Sequence, residues 1–303
     1  MDGILPLWKN KGMTSHDCVF HLRKILHTKK IGHGGTLDPD VDGVLPICIG
    51  KGTKVIEYMA NAGKIYEGEI TLGVSTTTED KSGECVEKKR LTNPLPTVMI
   101  DQAMQSLEGE ITQVPPMFSA VKVNGKRLYE YARNHEQVER PVRKTTIISF
   151  RRISQPIFNE KNGTMTWQFR VVCGKGTYVR TLAVDTGLKL GFPAHMSALT
   201  RLASGGLFAD QCITLEQVAQ VAEKGQTEEL LLPLSVAVKD FSKIQLSDEL
   251  AQLVKNGVCL RKEQLGLTEM PRELLALFHK NTLVSLYMAH PTKENYLKPS
   301  KVI

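Results

Sequence analysis

Apolar and polar side chains alternate strictly along residues 66–72, which is the pattern of a strand with one buried face. The residues of the apolar face are Tyr66, Gly68, Ile70 and Leu72. Residues 165–173 alternate in the same way, and Asn162-Gly163, the favoured pair for a type I′ hairpin turn, joins them to an extended segment at 145–158. We therefore predict a central sheet built on antiparallel pairs.

A spacing of three and four positions between apolar residues predicts amphipathic helices elsewhere. In the first, residues 15–30, Val19 and Leu22 share a face, Ser15 is the predicted N-cap and Asp17 suits the first turn. Further helices are predicted at 97–109, 177–191, where Gly191 ends the helix, 214–225, where Thr214 and Gln217 form a capping box, and 247–257. Short apolar segments at 4–8 and 282–289 are predicted to be strands, the first at a sheet edge.

The length of 303 residues allows one large domain or a large and a small one. Residues 233–240 have the character of a connection, so we place a domain boundary near Phe241. A hydrophobic content of 41% and a charged content of 23% are ordinary for a soluble protein. The net charge of +7 favours a polyanionic partner, although many proteins without one have a similar charge.

No secretory signal pattern opens the sequence, and no uncharged apolar run reaches membrane-spanning length. We therefore expect a cytoplasmic protein without a membrane partner. The six cysteines lie at least thirty positions apart, so no metal-knuckle spacing occurs and we expect reduced thiols.

Residues 30–52 contain the most unusual composition of the chain. Glycines at 32, 34, 35 and 43 surround His33 and three carboxylates, Asp38, Asp40 and Asp42. Such a glycine density indicates backbone in uncommon conformations or the close approach of a ligand. Asp38 precedes a proline, which favours extended backbone and directs its carboxylate away from any helix.

Three other interpretations of this segment are a calcium loop, a phosphate-binding loop and a solvated turn. The carboxylates reproduce the opening of a calcium loop, but Ile49 occupies the twelfth position, where a bidentate Glu is needed. Gly50-Lys51-Gly52 lacks the Ser or Thr of a phosphate-binding loop. A solvated turn remains an alternative on composition alone.

A basic and aromatic segment occupies residues 115–133. Lys122, Lys126, Arg127 and Arg133 are interleaved there with two tyrosines, at 129 and 131. Cations neutralise phosphates and aromatic faces stack on bases, so the mixture is typical of RNA recognition. A solvated helix face is the alternative. Arg180, near the start of a predicted helix and off its apolar stripe, is an ordinary surface charge unless a carboxylate lies opposite.

Together these motifs resemble the bacterial tRNA pseudouridine synthases of the TruB family, which make pseudouridine in the TΨC loop. The resemblance extends from residue 4 to about residue 205. The matching stretches are residues 9–12, 32–39 with 43–46, 66–68, 72–83, 115–120 with 125–133, and 175–180.

The resemblance implies roles for individual residues. Asp38 is expected to be the catalytic nucleophile, Tyr66 to stack on the target uracil, and Arg180 to pair with the Asp38 carboxylate and keep it ionised. Substrate contacts are expected from His33, Lys9, Asp80, Lys122, Lys126, Arg127 and Tyr178. The family's reaction consumes no cofactor and no metal. Attack at C1′, attack at C6 and removal of a 2′-proton all remain open.

The fold that the resemblance implies is α+β, a mixed α/β pseudouridine synthase fold with a central, largely antiparallel sheet flanked by helices. Residues 1–240 are expected to form the catalytic domain, with an RNA-clasping insertion at about 122–145, and residues 241–303 a small PUA-like RNA-binding domain. The expected substrate is U55 in the T arm of tRNA, acted on by a monomer without an obligate protein partner. A non-catalytic tRNA folding chaperone and a guide-RNA-directed synthase are the alternatives.

Overall fold

The computed structural model describes all 303 residues, which form a ten-stranded sheet, a five-stranded sheet and two small two-stranded sheets, with helices packed against the two larger ones. The strands, in chain order, are β1 (Gly3–Lys9), β2 (Ile31–His33), β3 (Asp42–Ile49), β4 (Lys64–Leu72), β5 (Val74–Thr76), β6 (Cys85–Lys88), β7 (Gly109–Gln113), β8 (Lys122–Val123), β9 (Lys126–Arg127), β10 (Arg143–Arg152), β11 (Ile157–Asn159), β12 (Thr164–Cys173), β13 (Ala194–Ser204), β14 (Leu207–Phe208), β15 (Ser242–Gln245), β16 (Leu260–Arg261), β17 (Leu275–His279), β18 (Thr282–Ala289) and β19 (Tyr296–Val302).

Seven α-helices accompany the strands: α1 (Ser15–Ile25), α2 (Ile56–Asn61), α3 (Thr97–Gln105), α4 (Leu128–Arg133), α5 (Val179–Leu190), α6 (Leu215–Glu223) and α7 (Asp248–Lys255). Short 3₁₀ helices lie at Gly50–Val55, Ala209–Gln211, Thr227–Leu230, Leu234–Val238 and Lys262–Leu265. No helix combines the length and the apolar character that crossing a bilayer requires.

The larger sheet has the order β1-β3-β13-β4-β12-β10-β7. Every neighbouring pair in this order is antiparallel except β3 and β13, which run parallel. The predicted mixed fold with a central, largely antiparallel sheet is therefore confirmed. The alternation predicted for β4 is also present, because Tyr66, Ile70 and Leu72 are buried together with the apolar face of β12.

Helices cover the sheet through the apolar stripes that the sequence predicts. Ile100 and Met104 of α3 and Leu182 of α5 pack into the same cluster as Trp167 of β12. Residues of α1 and α6 cover β1 and β3 in a second cluster. Burying side chains of this size contributes about 1.5–3 kcal/mol each, so these two clusters supply much of the stability of the larger body.

Three local predictions were wrong. Thr14, not Ser15, is the N-cap of α1, and α1 ends at Ile25, earlier than predicted. Ser15 is instead buried, and its hydroxyl accepts a hydrogen bond from the N–H of Leu37, 2.8 Å away. Asn162 does not adopt the positive φ of a type I′ turn. Only Gly163 does, and its N–H donates to the carbonyl of Asn159.

A central strand was missed altogether. β13 lies between β3 and β4 in the larger sheet. It was not predicted, because apolar and polar residues do not alternate regularly along its sequence. His195, Ser197, Thr200 and Arg201 interrupt its apolar residues, so periodicity alone did not identify it.

The smaller sheet has the order β15-β17-β18-β19-β16 and encloses its own core, with Leu277, Tyr287 and Leu297 at its centre. Phe278 and Leu286 pack against Val55 and Val238 of the larger body. The predicted boundary at residue 240 and the PUA-like character of 241–303 stay predictions.

Residues 114–142 form an excursion from the larger sheet, because the strands on either side, β7 and β10, are direct antiparallel neighbours. The excursion contains the β8–β9 hairpin and α4. The predicted bounds of an insertion at about 122–145 stay a prediction.

Gly43 allows β3 to approach β13 closely. Its φ is +121°, and a Cβ there would lie 2.2 Å from the carbonyl oxygen of Arg201. We expect Gly43→Ala to lower the free energy of unfolding by about 2–5 kcal/mol, because strain and overpacking add. Gly109→Ala is the matched control, since its φ is +93° but nothing lies within 4 Å of the added Cβ. A loss of about 1 kcal/mol is expected there. Equal losses in chemical denaturation would contradict the close-approach argument.

Candidate active site

Asp38 lies in the loop between β2 and β3, and its side chain lines a cleft. Its Oδ2 is 2.9 Å from Nη2 of Arg180, and the Asp38 side chain is 42% exposed while that of Arg180 is 9% exposed. Two residues that are 142 positions apart in the sequence thus form an ion pair in which the cation is buried and the anion faces the cleft.

Arg180 also holds two neighbouring segments. Its Nη1 donates to the carbonyl of Thr78 at 3.0 Å, and its Nη2 donates to the carbonyl of Phe118 at 2.9 Å. Asp80 Oδ2 lies 3.7 Å from Nη1. Because a guanidinium presents its donors in one rigid plane, these contacts fix the direction from which it meets Asp38.

The ionisation of Asp38 results from opposing effects. Burial raises the pKa of its carboxyl, the Arg180 guanidinium lowers it, and the nearby Asp80 raises it further, so that the net pKa lies above the ordinary value. Arg180 thus acts in the predicted direction, toward the ionised form, against the opposing effect of burial. Direct contact with the guanidinium favours the carboxylate, while burial makes that carboxylate more basic than a solvated one.

Lys9 was predicted to contact the substrate, but the structure places it away from any free surface. Its side chain is fully buried, and Nζ donates to the carbonyls of Met13, Asn10 and Pro39, the last at 3.2 Å. Its burial lowers the pKa of the ammonium group. Lys9 therefore stabilises the backbone immediately after Asp38 and presents no free donor to a substrate.

Tyr66 begins the apolar face of β4 and is 7% exposed. It lines a cavity of about 490 Å³ together with Asp38, Arg180 and Leu199. Burial raises the pKa of its hydroxyl, and the neighbouring Arg201 lowers it. The ring, the carboxylate and the guanidinium thus face one compartment.

A second cavity of about 730 Å³ adjoins the first and shares Asp38 and Arg180 with it. His33 and Asp80 line it, as do Arg127 and Tyr129 of the excursion. Cavities of 300–1,000 Å³ accommodate ligands of nucleotide size. Asp38 is therefore accessible from a compartment that contains Tyr66 and from one that is bordered by basic and aromatic side chains.

His33 and Asp80 occupy different positions in this larger cavity. Nδ1 of His33 is buried without a hydrogen-bond partner, and burial lowers the pKa of the imidazole, which favours its neutral form. Asp80 Oδ1 accepts hydrogen bonds from Ser82 N–H and from the hydroxyls of Thr78 and Ser82. Asp80 thereby organises the turn that presents the Thr78 carbonyl to Arg180.

The remaining predicted contacts divide into two groups. Lys122 and Tyr178 line the smaller cavity, and Arg127 lines the larger one, where its guanidinium donates to the hydroxyl of Tyr129. Lys126 lies outside both cavities and is paired with Glu136 at 2.7 Å. Lys126 is consequently less available to an anion than its sequence suggests.

Two residues that support the site, Arg201 and Gln113, were not predicted from the sequence. Arg201 is buried beneath the Asp38 loop, and Gln113 bonds both the N–H and the carbonyl of Tyr178. One signal was available for Arg201, because it alternates with Leu199 and Ala203, so a charge occupies an inward position. No cluster of three or more His, Cys, Asp or Glu side chains is arranged to hold a metal ion.

Comparison with known proteins relates this geometry to an established family. Residues 23–179 match the model of the TruB family pseudouridylate synthase N-terminal domain, and residues 180–239 match that of the tRNA pseudouridylate synthase B C-terminal domain. A tRNA pseudouridine synthase B of Bacillus pumilus is 50% identical over 100% of this chain and 98% of its own length. One of Latilactobacillus sakei is 52% identical over 100% and 97%.

Solved structures with the same fold include the chain in the crystal structure of a Cbf5-Nop10-Gar1 complex. It is 29% identical, with a TM-score of 0.75, and the match covers 99% of this chain and 84% of that one. A chain in the structure of an H/ACA RNP bound to a substrate RNA containing 2′-deoxyuridine is 27% identical, with a TM-score of 0.73 and coverage of 99% and 84%.

Removal of the Arg180 charge tests the electrostatics of the pair. In Arg180→Met, we expect the pKa of Asp38 to rise further, because the guanidinium lowers it in the unaltered protein. Titration of ¹³C-labelled aspartate carboxyls by NMR measures the change, with Asp38→Asn identifying the resonance. Arg180→Lys, which keeps the charge, should shift the pKa less. An Asp38 pKa that is unchanged in Arg180→Met would refute the proposed electrostatic coupling.

Proposed function

The chain belongs to the TruB family of pseudouridylate synthases, and we propose that it converts a uridine of tRNA to pseudouridine with Asp38 as the reacting carboxylate. The observation that supports the role of Asp38 is its ion pair with Arg180 at the junction of two cavities. A carboxylate that is held by a buried cation and open on one side is suited to react with a group entering the cleft.

The size and lining of the cavities support an extruded nucleotide as the ligand. A base within a stacked loop is out of reach of a side chain, so it must leave the stack before it reacts. In the smaller cavity Tyr66 supplies an aromatic face for the uracil, and Leu199 supplies an apolar surface. We propose that the base enters there, with its ribose next to Asp38.

The reaction breaks the bond between N1 of uracil and C1′ and forms a bond between C5 and C1′. C5 loses one proton and N1 gains one, so that substrate and product are isomers. Asp38 serves equally in attack at C1′, in attack at C6 and in removal of the 2′-proton, because each requires an ionised carboxylate. The residue is regenerated at the end of every route. Arg180 favours that ionised form, and the enclosed cleft retains the detached uracil beside the sugar.

The border of the larger cavity suits the remainder of the RNA. Arg127 and Arg133 flank the ring of Tyr129, with their guanidinium carbons 5.8 and 5.3 Å from its centroid. Such a group can contact phosphates through the cations and a base through the ring. We propose that this group binds the T arm, in which U55 is the target, and that Lys126 assists when it exchanges Glu136 for phosphate.

We further propose that the protein acts on tRNA as a monomer in the cytoplasm without an obligate protein partner. Relatives that match along nearly their full length at about 50% identity carry the name tRNA pseudouridine synthase B. The neighbour whose structure names the partners Nop10 and Gar1 is 29% identical. A guide-RNA-directed activity is therefore disfavoured, and purified protein should modify an unaccompanied tRNA transcript.

Replacement of Asp38 separates catalysis from RNA binding. We expect Asp38→Asn to reduce pseudouridine formation by at least ~10³-fold, because the amide cannot serve as the anionic reactant. Tritium release from a transcript labelled at C5 of uridine measures turnover, and filter binding should give nearly unchanged tRNA affinity. Asp210→Asn, at an exposed position, is the control. Full activity in Asp38→Asn would refute the role of Asp38 as the reacting carboxylate. Binding of tRNA by the unaltered protein without any pseudouridine formation would instead leave a tRNA folding chaperone as the explanation.

Charge reversal at Arg127 tests the proposed RNA surface. Arg127→Glu should weaken tRNA binding and reduce the slope of log affinity against log salt by about 0.7–0.9 for each phosphate contact that is lost. Lys224→Glu changes the net charge equally at an exposed position after α6 and serves as the control. If both variants lower the slope by the same amount, the excursion has no special role in binding.

A further inference from the structure

Arg201 carries a buried charge that the proposed chemistry leaves unexplained. Its side chain is fully buried in β13, and no carboxylate lies within ion-pair distance of it. An uncompensated buried charge is strongly destabilising unless its donors are satisfied. The contacts of this guanidinium must therefore account for its presence.

The acceptors of Arg201 all belong to the segment that carries Asp38. Nε donates to the carbonyl of Val44 at 2.8 Å, Nη1 to that of Thr36 at 3.2 Å and Nη2 to that of Gly35 at 3.1 Å. Val44 follows Asp38 and the other two residues precede it. One rigid planar group thus joins the beginning and the end of the loop on which the carboxylate stands.

The same guanidinium lies next to Tyr66. Arg201 and Tyr66 are paired across β13 and β4, and both line the smaller cavity. The influence of Arg201 on the hydroxyl of Tyr66 is a further sign that the two groups are close. The loop that bears Asp38 and the strand that bears the aromatic ring are therefore both in contact with one side chain.

Other residue types cannot reproduce this arrangement. A lysine ammonium can also donate to three carbonyls, as Lys9 does, but its donors all leave one atom. The acceptors of Arg201 lie on both sides of the loop and are met by three separate nitrogens of one plane. Glutamine offers two donors on one nitrogen, and an apolar residue leaves all three carbonyls without a donor. The three contacts require the fork of an arginine.

We propose that Arg201 is a positioning residue of the isomerisation, which fixes the Asp38 loop and Tyr66 relative to one another so that carboxylate and ring meet the same nucleotide. The inference rests on the proposed function. A displacement of about 1 Å at reacting groups can reduce the rate about 10²-fold, which is the scale of effect that loss of this side chain should have.

The test compares Arg201→Gln, Arg201→Lys and Arg201→Ala in the full-length protein. Tritium release gives kcat and KM for an unmodified tRNA transcript, and filter binding gives its Kd. We expect kcat to fall about 10²-fold in Arg201→Gln and Arg201→Ala, with Kd changed less than about threefold, because the RNA surface is elsewhere. Arg201→Lys should recover only part of kcat. Tens of millimolar guanidinium should raise kcat of Arg201→Ala by occupying the vacated site.

Arg170→Gln is the control, because Arg170 lies in β12 of the same sheet but pairs with Glu67 on an exposed face. Its kcat should equal that of the unaltered protein. Unchanged kcat in Arg201→Gln, or full recovery by lysine, would overturn the proposal. Parallel losses of kcat, Kd and melting temperature without guanidinium rescue would also overturn it, since they indicate a purely structural role. Inactivity of the unaltered protein would instead refute the proposed function itself.

If Arg201→Ala does not fold, Arg201→Lys retains the charge and decides the question. A lysine variant with normal melting temperature, normal Kd and reduced kcat supports the proposal, whereas normal kcat contradicts it.

Discussion

The ion pair between Asp38 and Arg180 is the interaction on which the cleft depends. It connects the loop after β2, the turn at Thr78, the excursion at Phe118 and the start of α5, which are distant from one another in sequence. Each partner benefits from the other, because an unpaired buried guanidinium is strongly destabilising and a partly buried carboxylate without a cation beside it is protonated more readily. The geometry that holds the Asp38 carboxylate in the cleft is therefore also the geometry that makes the buried arginine tolerable.

A second constraint acts on the backbone that carries Asp38. The loop exposes carbonyl groups to the interior, and such groups must find donors. Lys9 supplies donors from one side, at Pro39, and Arg201 supplies them from the other, at Gly35 and Thr36. Ser15 adds a hydroxyl that accepts from the N–H of Leu37. The loop is thus stabilised by buried polar side chains in place of regular secondary structure.

The sequence predicted those features that depend on local pattern. The alternation of β4 and β12, the apolar strand β18, the capping box at Thr214 and the left-handed glycine at 191 follow from periodicity and backbone preference. β13 could not be predicted in that way, because its polar residues serve the loop and the neighbouring strands. The pairing of Arg180 with Asp38 came from family resemblance, since nothing in their spacing brings them together.

The smaller cavity contains several buried or partly buried charged side chains that are unfavourable for stability, and the proposed anionic ligand explains why they are present. Five cationic side chains line the smaller cavity, and Asp38 is its one carboxylate; the cations are Lys64, Lys122, Arg143, Arg180 and Arg201. Burial, with a smaller contribution from the neighbouring Arg201, lowers the pKa of Lys64 to about 8, so this environment disfavours the protonated ammonium group. A phosphodiester of the proposed substrate would have the opposite effect on Lys64, because a nearby anion favours the protonated lysine. Buried polar groups that cost stability are thus found where the proposed ligand is an anion, which is the pattern expected where function and stability conflict.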